Sequence, residues 1–136
     1  MSILKSEQWQ YIVLGEVLEH INNPVEFLTQ LNSNFKGHVD SIIITVPNAF
    51  ALKNIKNAFR NVEEINSDHR YYFTPYTLGK ILTLSGYRNM EFSFAETMPI
   101  ISSFKHGRYM IHDFLHKIRI KRSPALCNHL IMTADL

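Results

Sequence analysis

Two glutamates and a histidine stand close together near the start of the chain, in the stretch GEVLEH. Glu16, Glu19 and His20 follow an E-x-x-E-H spacing, and residues three and four apart lie on one face of a helical turn. The three side chains are therefore expected to converge. Two carboxylates and an imidazole suit a divalent ion such as magnesium, manganese or zinc. A turn with a purely structural role is the alternative.

Two predicted strands and a helix must position this turn. Tyr11 to Leu14 is an apolar run that ends at Gly15, and Ser41 to Val46 is a second such run that ends at Pro47-Asn48. Between them, Asn23-Pro24 predicts the start of a helix. Two buried strands joined by a helix favour a right-handed βαβ unit, whose ligands lie beyond the carboxyl ends of the strands. The acidic turn and Asn48 are therefore predicted at one rim of a sheet.

The second half of the chain continues the alternation. A loop with a short helix is predicted over Ala49 to Ile65, and Thr74-Pro75 begins a further helix. Met90 to Phe94 alternates as a half-covered strand does, and Leu126 to Thr133 is predicted as the last strand. The apolar residues of the basic stretch from Phe104 to Ile120 have helical spacing. Its basic residues are interpreted either as a solvated helix face or as a surface that binds membranes or phosphates.

Composition limits the class of protein. The 136 residues suffice for one domain, and the hydrophobic share of 46% with a charged share of 19% is that of a globular protein. A net charge of +2 does not by itself argue for nucleic acid, and no apolar run reaches membrane-spanning length. The lone cysteine, Cys127, excludes an internal disulfide framework and suits a reducing compartment. We therefore expect a cytoplasmic protein.

Three stretches, in this order, resemble a known family: YIVLGEVLEHINNPVEFL, IIITVPN and DHRYYFTPYTLGKILTLSGY. They are similar to the second half of the class I S-adenosylmethionine-dependent methyltransferases, and most of all to the group of ubiquinone-type O-methyltransferases. The resemblance implies an α/β, Rossmann-like methyltransferase fold with a mostly parallel sheet and an antiparallel last strand. The family's Gly-rich loop and ribose-binding acid do not occur in the sequence. Residues 1–136 are therefore predicted to be a single partial domain, from the fourth strand onward.

The resemblance also implies roles for the acidic turn. Some family members, including the small-RNA 2′-O-methyltransferases, bind a metal through a matching turn and a later histidine. The metal ligands implied for this chain, with magnesium as the first candidate, are Glu16, Glu19, His20 and His69. Other members carry the LEH sequence without a metal, and the histidine then acts as a base or packs the loop. The implied catalytic residues are His20 as base or ligand, with Glu19 and His69 as helpers.

Cofactor contacts are implied at the ends of both strands. By analogy, Gly15 and Glu16 border the adenine and sulfonium of S-adenosylmethionine, although a strand terminator and a solvated acid are the plainer interpretation. Asn48 could bond a substrate or the cofactor's amino acid end, or belong to a common strand-ending turn. Tyr71, Tyr72 and Phe73 could line an acceptor pocket, whereas aromatic residues before a capped helix usually belong to the core.

Two functions from different classes follow. The first is methyl transfer to an oxygen or nitrogen nucleophile of a small molecule, by a chain expected to be inactive without an N-terminal half. The second is a non-catalytic fragment that acts as a partner, or needs one, because the strand at Tyr11 to Leu14 would have an unpaired edge. That edge could bind a complementing chain or a second copy. A piece of a longer gene product is a third possibility.

Overall fold

The computed structural model describes residues 7–96 and 123–136. In chain order the elements are β1 (Trp9–Gly15), α1 (Pro24–Phe35), β2 (Val39–Pro47), α2 (Leu52–Phe59), α3 (Pro75–Leu84), β3 (Arg88–Ala95) and β4 (His129–Asp135), with 3₁₀ turns at Leu18–His20 and Pro124–Leu126. The predicted basic helix at 104–120 lies outside these residues. No helix in the two described ranges has the length and hydropathy needed to cross a bilayer.

The four strands form one sheet in the order β1-β2-β4-β3. β1 and β2 are parallel, with Tyr11 opposite Ser41 and Gly15 opposite Thr45. β4 runs antiparallel to both of its neighbours, β2 and β3. The predicted α/β fold, with a parallel βαβ unit and an antiparallel last strand, is thus confirmed. Within the described residues β1 pairs with β2 alone and is an edge strand.

Local sequence signals begin the two helices that flank the sheet. The Asn23 side chain accepts a hydrogen bond of 3.2 Å from the backbone N–H of Glu26, and Pro24 takes the first helical position of α1. Thr74 and Thr77 form a reciprocal capping box at the start of α3, again followed by a proline. Such caps satisfy backbone donors that a helix start leaves without partners. Both predicted helix starts are confirmed.

One face of the sheet carries the core. Leu28 of α1 and Leu78 and Leu82 of α3 are fully buried, and they pack against the buried side chains of the two central strands. Those side chains are Ile42, Ile44 and Val46 of β2, and Leu130, Met132 and Ala134 of β4. On the opposite face of β1, Tyr11 is 53% exposed and Val13 is 65% exposed. The sheet therefore has one covered face and, at β1, one open face.

Two details of the core were not predicted from the sequence. On α1 the polar side chain of Asn32 is buried, and its amide donates to the Ser85 carbonyl at 3.1 Å. The residue after Ser85 is Gly86, which has a φ of +89°. A β-carbon at this position would lie only 3.1 Å from the Asn32 amide nitrogen, so the close approach of Asn32 requires a glycine here. Phe92 lies in register with buried Met132 but stays 57% exposed, because β3 is the outermost strand.

The last strand also begins later than predicted. The sequence favours a strand from Leu126 to Thr133, but β4 starts at His129. The amide of Asn48 donates to the carbonyls of Ala125 and Cys127, at 2.8 and 2.7 Å. These bonds hold the preceding segment as a turn, and ladder pairing begins only where His129 meets Pro47.

Candidate functional site

The chain changes direction sharply where β1 ends. Glu16 adopts a φ of 53°, a left-handed conformation that non-glycine residues seldom occupy. Its backbone N–H donates to the Thr45 carbonyl at 2.9 Å, which ties the end of β1 to β2. The following 3₁₀ turn, Leu18–His20, therefore lies at the rim formed by the carboxyl ends of these two parallel strands. This is the rim at which open α/β sheets bind ligands.

A buried carboxylate lies at the centre of the site. Glu19 is 0% exposed, and neither of its carboxylate oxygens has a hydrogen-bond partner. The Nε2 atom of His20 is 3.9 Å from Glu19 Oε1. Burial raises the pKa of Glu19, as does the Glu16 charge, while the proximity of its own backbone N–H and the two neighbouring histidines lower it. An acid buried without hydrogen bonds is costly in free energy, so its presence points to a role other than packing.

Glu19, His20 and His69 form a group whose potential ligand atoms all lie within 4.8 Å of one another. The rings of His20 and His69 meet edge to face, with centroids 4.8 Å apart. The Nδ1 atom of His69 is buried and has no hydrogen-bond partner. The structure thus brings together three of the four residues that the resemblance implies as ligands, although His69 lies far along the chain from the acidic turn.

The loop that carries His69 is tied to the acidic turn. Arg70 donates its backbone N–H to the Glu19 carbonyl and its guanidinium to the His20 carbonyl, both at 2.7 Å. The Nδ1 atom of His20 lies 3.1 Å from the Asp68 carbonyl. Because a carbonyl only accepts, Nδ1 must carry the proton of this hydrogen bond. In the neutral ring Nε2 then has the lone pair, on the side near Glu19.

Glu16 does not join this group. Its Oε1 lies 3.2 Å from the Nδ1 atom of His129, at the start of β4. The predicted convergence of all three side chains of the E-x-x-E-H turn therefore does not occur. The physical reason is that Glu16 precedes the 3₁₀ turn in a left-handed conformation and is not part of a continuous helical turn. Its roles as metal ligand and cofactor contact stay predictions.

Asn48 is fully buried beside this rim, and Gly15 ends β1 next to Thr45. In addition to its bonds to Ala125 and Cys127, the Asn48 side chain accepts the backbone N–H of Phe50 at 3.0 Å. Its polar atoms thus hold the end of β2 to the segment before β4. This geometry accounts for Asn48 structurally, and the predicted cofactor contacts of Gly15 and Asn48 remain predictions.

The three aromatic residues after His69 divide between core and surface. Phe73 is 2% exposed and belongs to the core, as expected for aromatic residues before a capped helix. Tyr71 donates its hydroxyl to the Asn22 carbonyl at 2.8 Å. The Tyr72 ring lies 6.4 Å from the ring of His69. Of these three aromatic residues, Tyr72 is therefore the one whose ring contacts the group of Glu19, His20 and His69.

Sequence reasoning missed several residues that hold the site in place. Asp68 holds His20 through its backbone carbonyl, and Arg70 holds the turn through its backbone N–H and its guanidinium. Only their position beside His69 could have drawn attention to them. Asn66 donates its side-chain amide N–H to His69 Nε2 at 3.2 Å. His129 gives no local signal, because its contact with Glu16 depends on the register of β4 against β2.

Comparisons with known proteins agree with the fold. A family model described as a methyltransferase domain matches residues 4–91. The chain therefore belongs to this methyltransferase family. No curated protein matches the chain.

Solved structures share the fold at low sequence identity. A SAM-dependent methyltransferase from Archaeoglobus fulgidus has a TM-score of 0.59 and 21% identity, over 99% of this chain and 64% of the other. The small RNA methyltransferase HEN1 has a TM-score of 0.57 and 18% identity, over 98% of this chain and 14% of the other. A cyclopropane-fatty-acyl-phospholipid synthase-like protein from Lactobacillus casei ATCC 334 has a TM-score of 0.52 and 12% identity, over 98% and 58%. The chain thus spans less than two thirds of each of these proteins.

Proposed function

We propose that the chain takes part in S-adenosylmethionine-dependent methyl transfer to an oxygen or nitrogen nucleophile of a small molecule. The observation that carries the proposal is the buried Glu19 carboxylate, which has no hydrogen-bond partner and faces two histidines at the rim of the parallel strands. Membership of a methyltransferase family supports the reaction class. The donor is proposed because one of the structures that share this fold is described as SAM-dependent.

His20 is the proposed base, and Glu19 and His69 assist it. S-adenosylmethionine supplies a methyl group already activated on a sulfonium, so most of the rate would come from aligning donor and acceptor. The methyl carbon would leave the sulfonium sulfur, which departs as a thioether, as it bonds to the acceptor atom. The acceptor's proton would pass to Nε2 of His20, whose Nδ1 proton is held by the Asp68 carbonyl. The Glu19 carboxylate, 3.9 Å from that nitrogen, stabilises the resulting imidazolium.

A divalent ion, with Mg²⁺ as first candidate, is the alternative to this proton transfer, because it fits the same residues and would take the Nε2 lone pair of His20. Glu19 offers two carboxylate oxygens without partners, and His69 would offer its buried Nδ1, also without a partner, in the tautomer that carries the proton on Nε2. Oxygen and imidazole ligands are suitable for Mg²⁺, Mn²⁺ or Zn²⁺. Glu19, His20 and His69 would hold the ion, which would supply Lewis-acid chemistry toward an acceptor oxygen.

A second candidate function is that of a non-catalytic chain in a complex with a partner. The open edge of β1 favours it, because an edge strand with exposed Trp9, Tyr11 and Val13 can pair with a further strand. We propose that this edge receives a strand from a complementing polypeptide or from a second copy, in the cytoplasm. An active methyltransferase would then require both parts.

Calorimetric titration with S-adenosylmethionine, with and without Mg²⁺, tests the first function. Binding in the micromolar range, weakened in a Glu16→Gln variant but unchanged in a matched Glu91→Gln variant at an exposed position of β3, would support a donor site on this rim. A folded sample that gives no heat of binding would reject donor binding by the chain alone and favour the second function. Sedimentation velocity of the wild-type chain and of a Val13→Lys variant would then show whether the substitution abolishes self-association.

A further inference from the structure

The side-chain amide of Asn66 determines which nitrogen of His69 carries the proton. The Oδ1 atom of Asn66 accepts the backbone N–H of Asp68 at 3.3 Å. Because a backbone N–H can only donate, this bond identifies the oxygen of the amide, and the NH₂ group is the part that lies against His69. The amide nitrogen is 3.2 Å from Nε2 of His69 and donates to it. Nε2 is therefore an acceptor, and in the neutral ring the proton lies on Nδ1.

The backbone of the same loop holds the amide in this orientation. His69 donates its backbone N–H to the Asn66 carbonyl at 3.0 Å, which closes a turn over residues 66–69. An asparagine side chain that bonds the backbone two residues later is a common feature of such turns. If the amide were reversed, its NH₂ group would lie against the N–H of Asp68, and two donors would face each other. The turn therefore stabilises one orientation of the amide and, through it, one tautomer of His69.

The tautomer of His69 determines what the site can bind. Nδ1 of His69 is buried and has no hydrogen-bond acceptor in the part of the chain that the structure describes, and both carboxylate oxygens of Glu19 are buried without a donor. With its proton on Nδ1, His69 can donate a hydrogen bond to an oxygen atom of a ligand. It cannot bind a cation through this nitrogen, because a metal ion requires the lone pair of the neutral ring.

We propose that Asn66 is a positioning residue that keeps His69 in the donor form, so that a divalent ion binds only after the Asn66 amide has reversed. This inference rests on the proposed function and deepens it, since it distinguishes the proton transfer to His20 from the use of an ion. For an ion to bind, the proton of His69 must leave Nδ1 for water, and Nε2 must take up another. Asn66 Oδ1 must then accept from Nε2, and its bond to Asp68 is lost.

An Asn66→Asp variant tests the proposal with little change of shape. One carboxylate oxygen takes the place of Oδ1 as the acceptor for Asp68, and the other replaces the NH₂ group beside Nε2. A donor is thereby exchanged for an acceptor, and the proton of His69 is expected to move to Nε2. Ring-nitrogen chemical shifts of the isotope-labelled, metal-free full chain identify the protonated nitrogen, with a His69→Gln variant to assign the signals. The expected site is Nδ1 in the wild-type chain and Nε2 in Asn66→Asp.

Titration with Mn²⁺ measures the consequence for an ion. Asn66→Asp should bind Mn²⁺ about fivefold to tenfold more tightly than the wild-type chain, because Nδ1 of His69 then offers its lone pair and a carboxylate supports the ring from the other side. Ser67→Asp is the matched control, since it adds the same charge at the neighbouring exposed position of the same loop. Its charge is solvated and screened, so the affinity should rise by less than about twofold.

Three results would each overturn the inference. They are a wild-type His69 with its proton on Nε2, an unchanged tautomer in Asn66→Asp, and equal gains in Mn²⁺ affinity in Asn66→Asp and Ser67→Asp. The tautomer is measured on the metal-free chain without a methyl donor, so it is decided even where Mn²⁺ or S-adenosylmethionine fails to bind. Failure of the inference is therefore distinguishable from failure of the proposed function, which the calorimetric titration with S-adenosylmethionine reports separately.

Discussion

Glu16 Oε1 lies 3.2 Å from Nδ1 of His129, a contact between residues 113 positions apart. It joins the carboxyl end of the first strand of the structure to the start of the last. Since Glu16 is occupied in this way, the group able to hold a metal ion within residues 7–96 and 123–136 consists of Glu19, His20 and His69. The E-x-x-E-H turn therefore divides into one residue that connects strands and two that face the site.

This division predicts unequal effects of removing the two glutamates. Glu19→Gln should weaken Mn²⁺ binding by at least about tenfold, since even loss of groups outside the ligand shell has effects of that size. Glu16→Ala should leave the affinity nearly unchanged, because Glu16 is directed at His129. Calorimetric titration with Mn²⁺ measures both, with the exposed Glu91→Ala as control. Equal losses in the two variants would mean that Glu16 moves to the ion.

The unpartnered carboxylate of Glu19 also predicts an effect on stability. Glu19→Met keeps an unbranched side chain of similar length and removes a buried group without hydrogen bonds. The free energy of unfolding should rise by about 1–3 kcal/mol, the usual cost of an unsatisfied buried polar group. Urea unfolding measures the change, and Glu91→Met, at an exposed position of β3, should lie near zero. A marked loss of stability in Glu19→Met would contradict this prediction.

Asn48 is predicted to be a structural residue of the rim. Asn48→Ala removes the donor for the carbonyls of Ala125 and Cys127 and the acceptor for the Phe50 N–H. The free energy of unfolding should fall by about 2–4 kcal/mol, because hydrogen bonds are lost and buried partners are left unsatisfied. Urea unfolding is again the measurement, with the exposed Asn34→Ala as control. Near-wild-type stability would show that water or neighbouring groups replace these bonds.

Tyr87 should make stability fall at alkaline pH. Its side chain is buried and donates to the Leu28 carbonyl at 3.3 Å, and burial raises its pKa from 10.0 to about 12. A raised pKa means that folding favours the neutral phenol. Its contribution to stability is complete below pH 10 and disappears as the pH rises from 10 to about 12.

Phenolate absorbance during a pH titration measures this shift. Of the six tyrosines, one should ionise well after the exposed ones, and Tyr87→Phe should remove that late step. Tyr76→Phe is the control, since Tyr76 is 76% exposed. The prediction fails if the Tyr87→Phe titration loses an early step and keeps the late one.

Much of the fold was predictable because its signals are local. Asn23-Pro24 and Thr74-Pro75 begin helices through bonds made within three residues, and the apolar runs at Tyr11 and Ser41 required no distant partner to be recognised as strands. The parallel pairing of those strands then places the acidic turn and Asn48 at the same rim. In the group of Glu19, His20 and His69, the resemblance to the methyltransferase family added His69, which spacing in the sequence could not connect to the turn.

Tertiary structure decided what these side chains contact. The direction of Glu16, the bonds of Asn48 and the burial of Asn32 all depend on partners more than 50 residues away in sequence. The register of β4 against β2 determines which residue meets Glu16, and it also moves the start of β4 to His129. Helix caps and hydrophobic periodicity depend on residues within one turn or one strand. The partner of a side chain depends on how complete elements pack against each other. The order of elements and the candidate residues therefore came from sequence, and packing decided which of those residues meet.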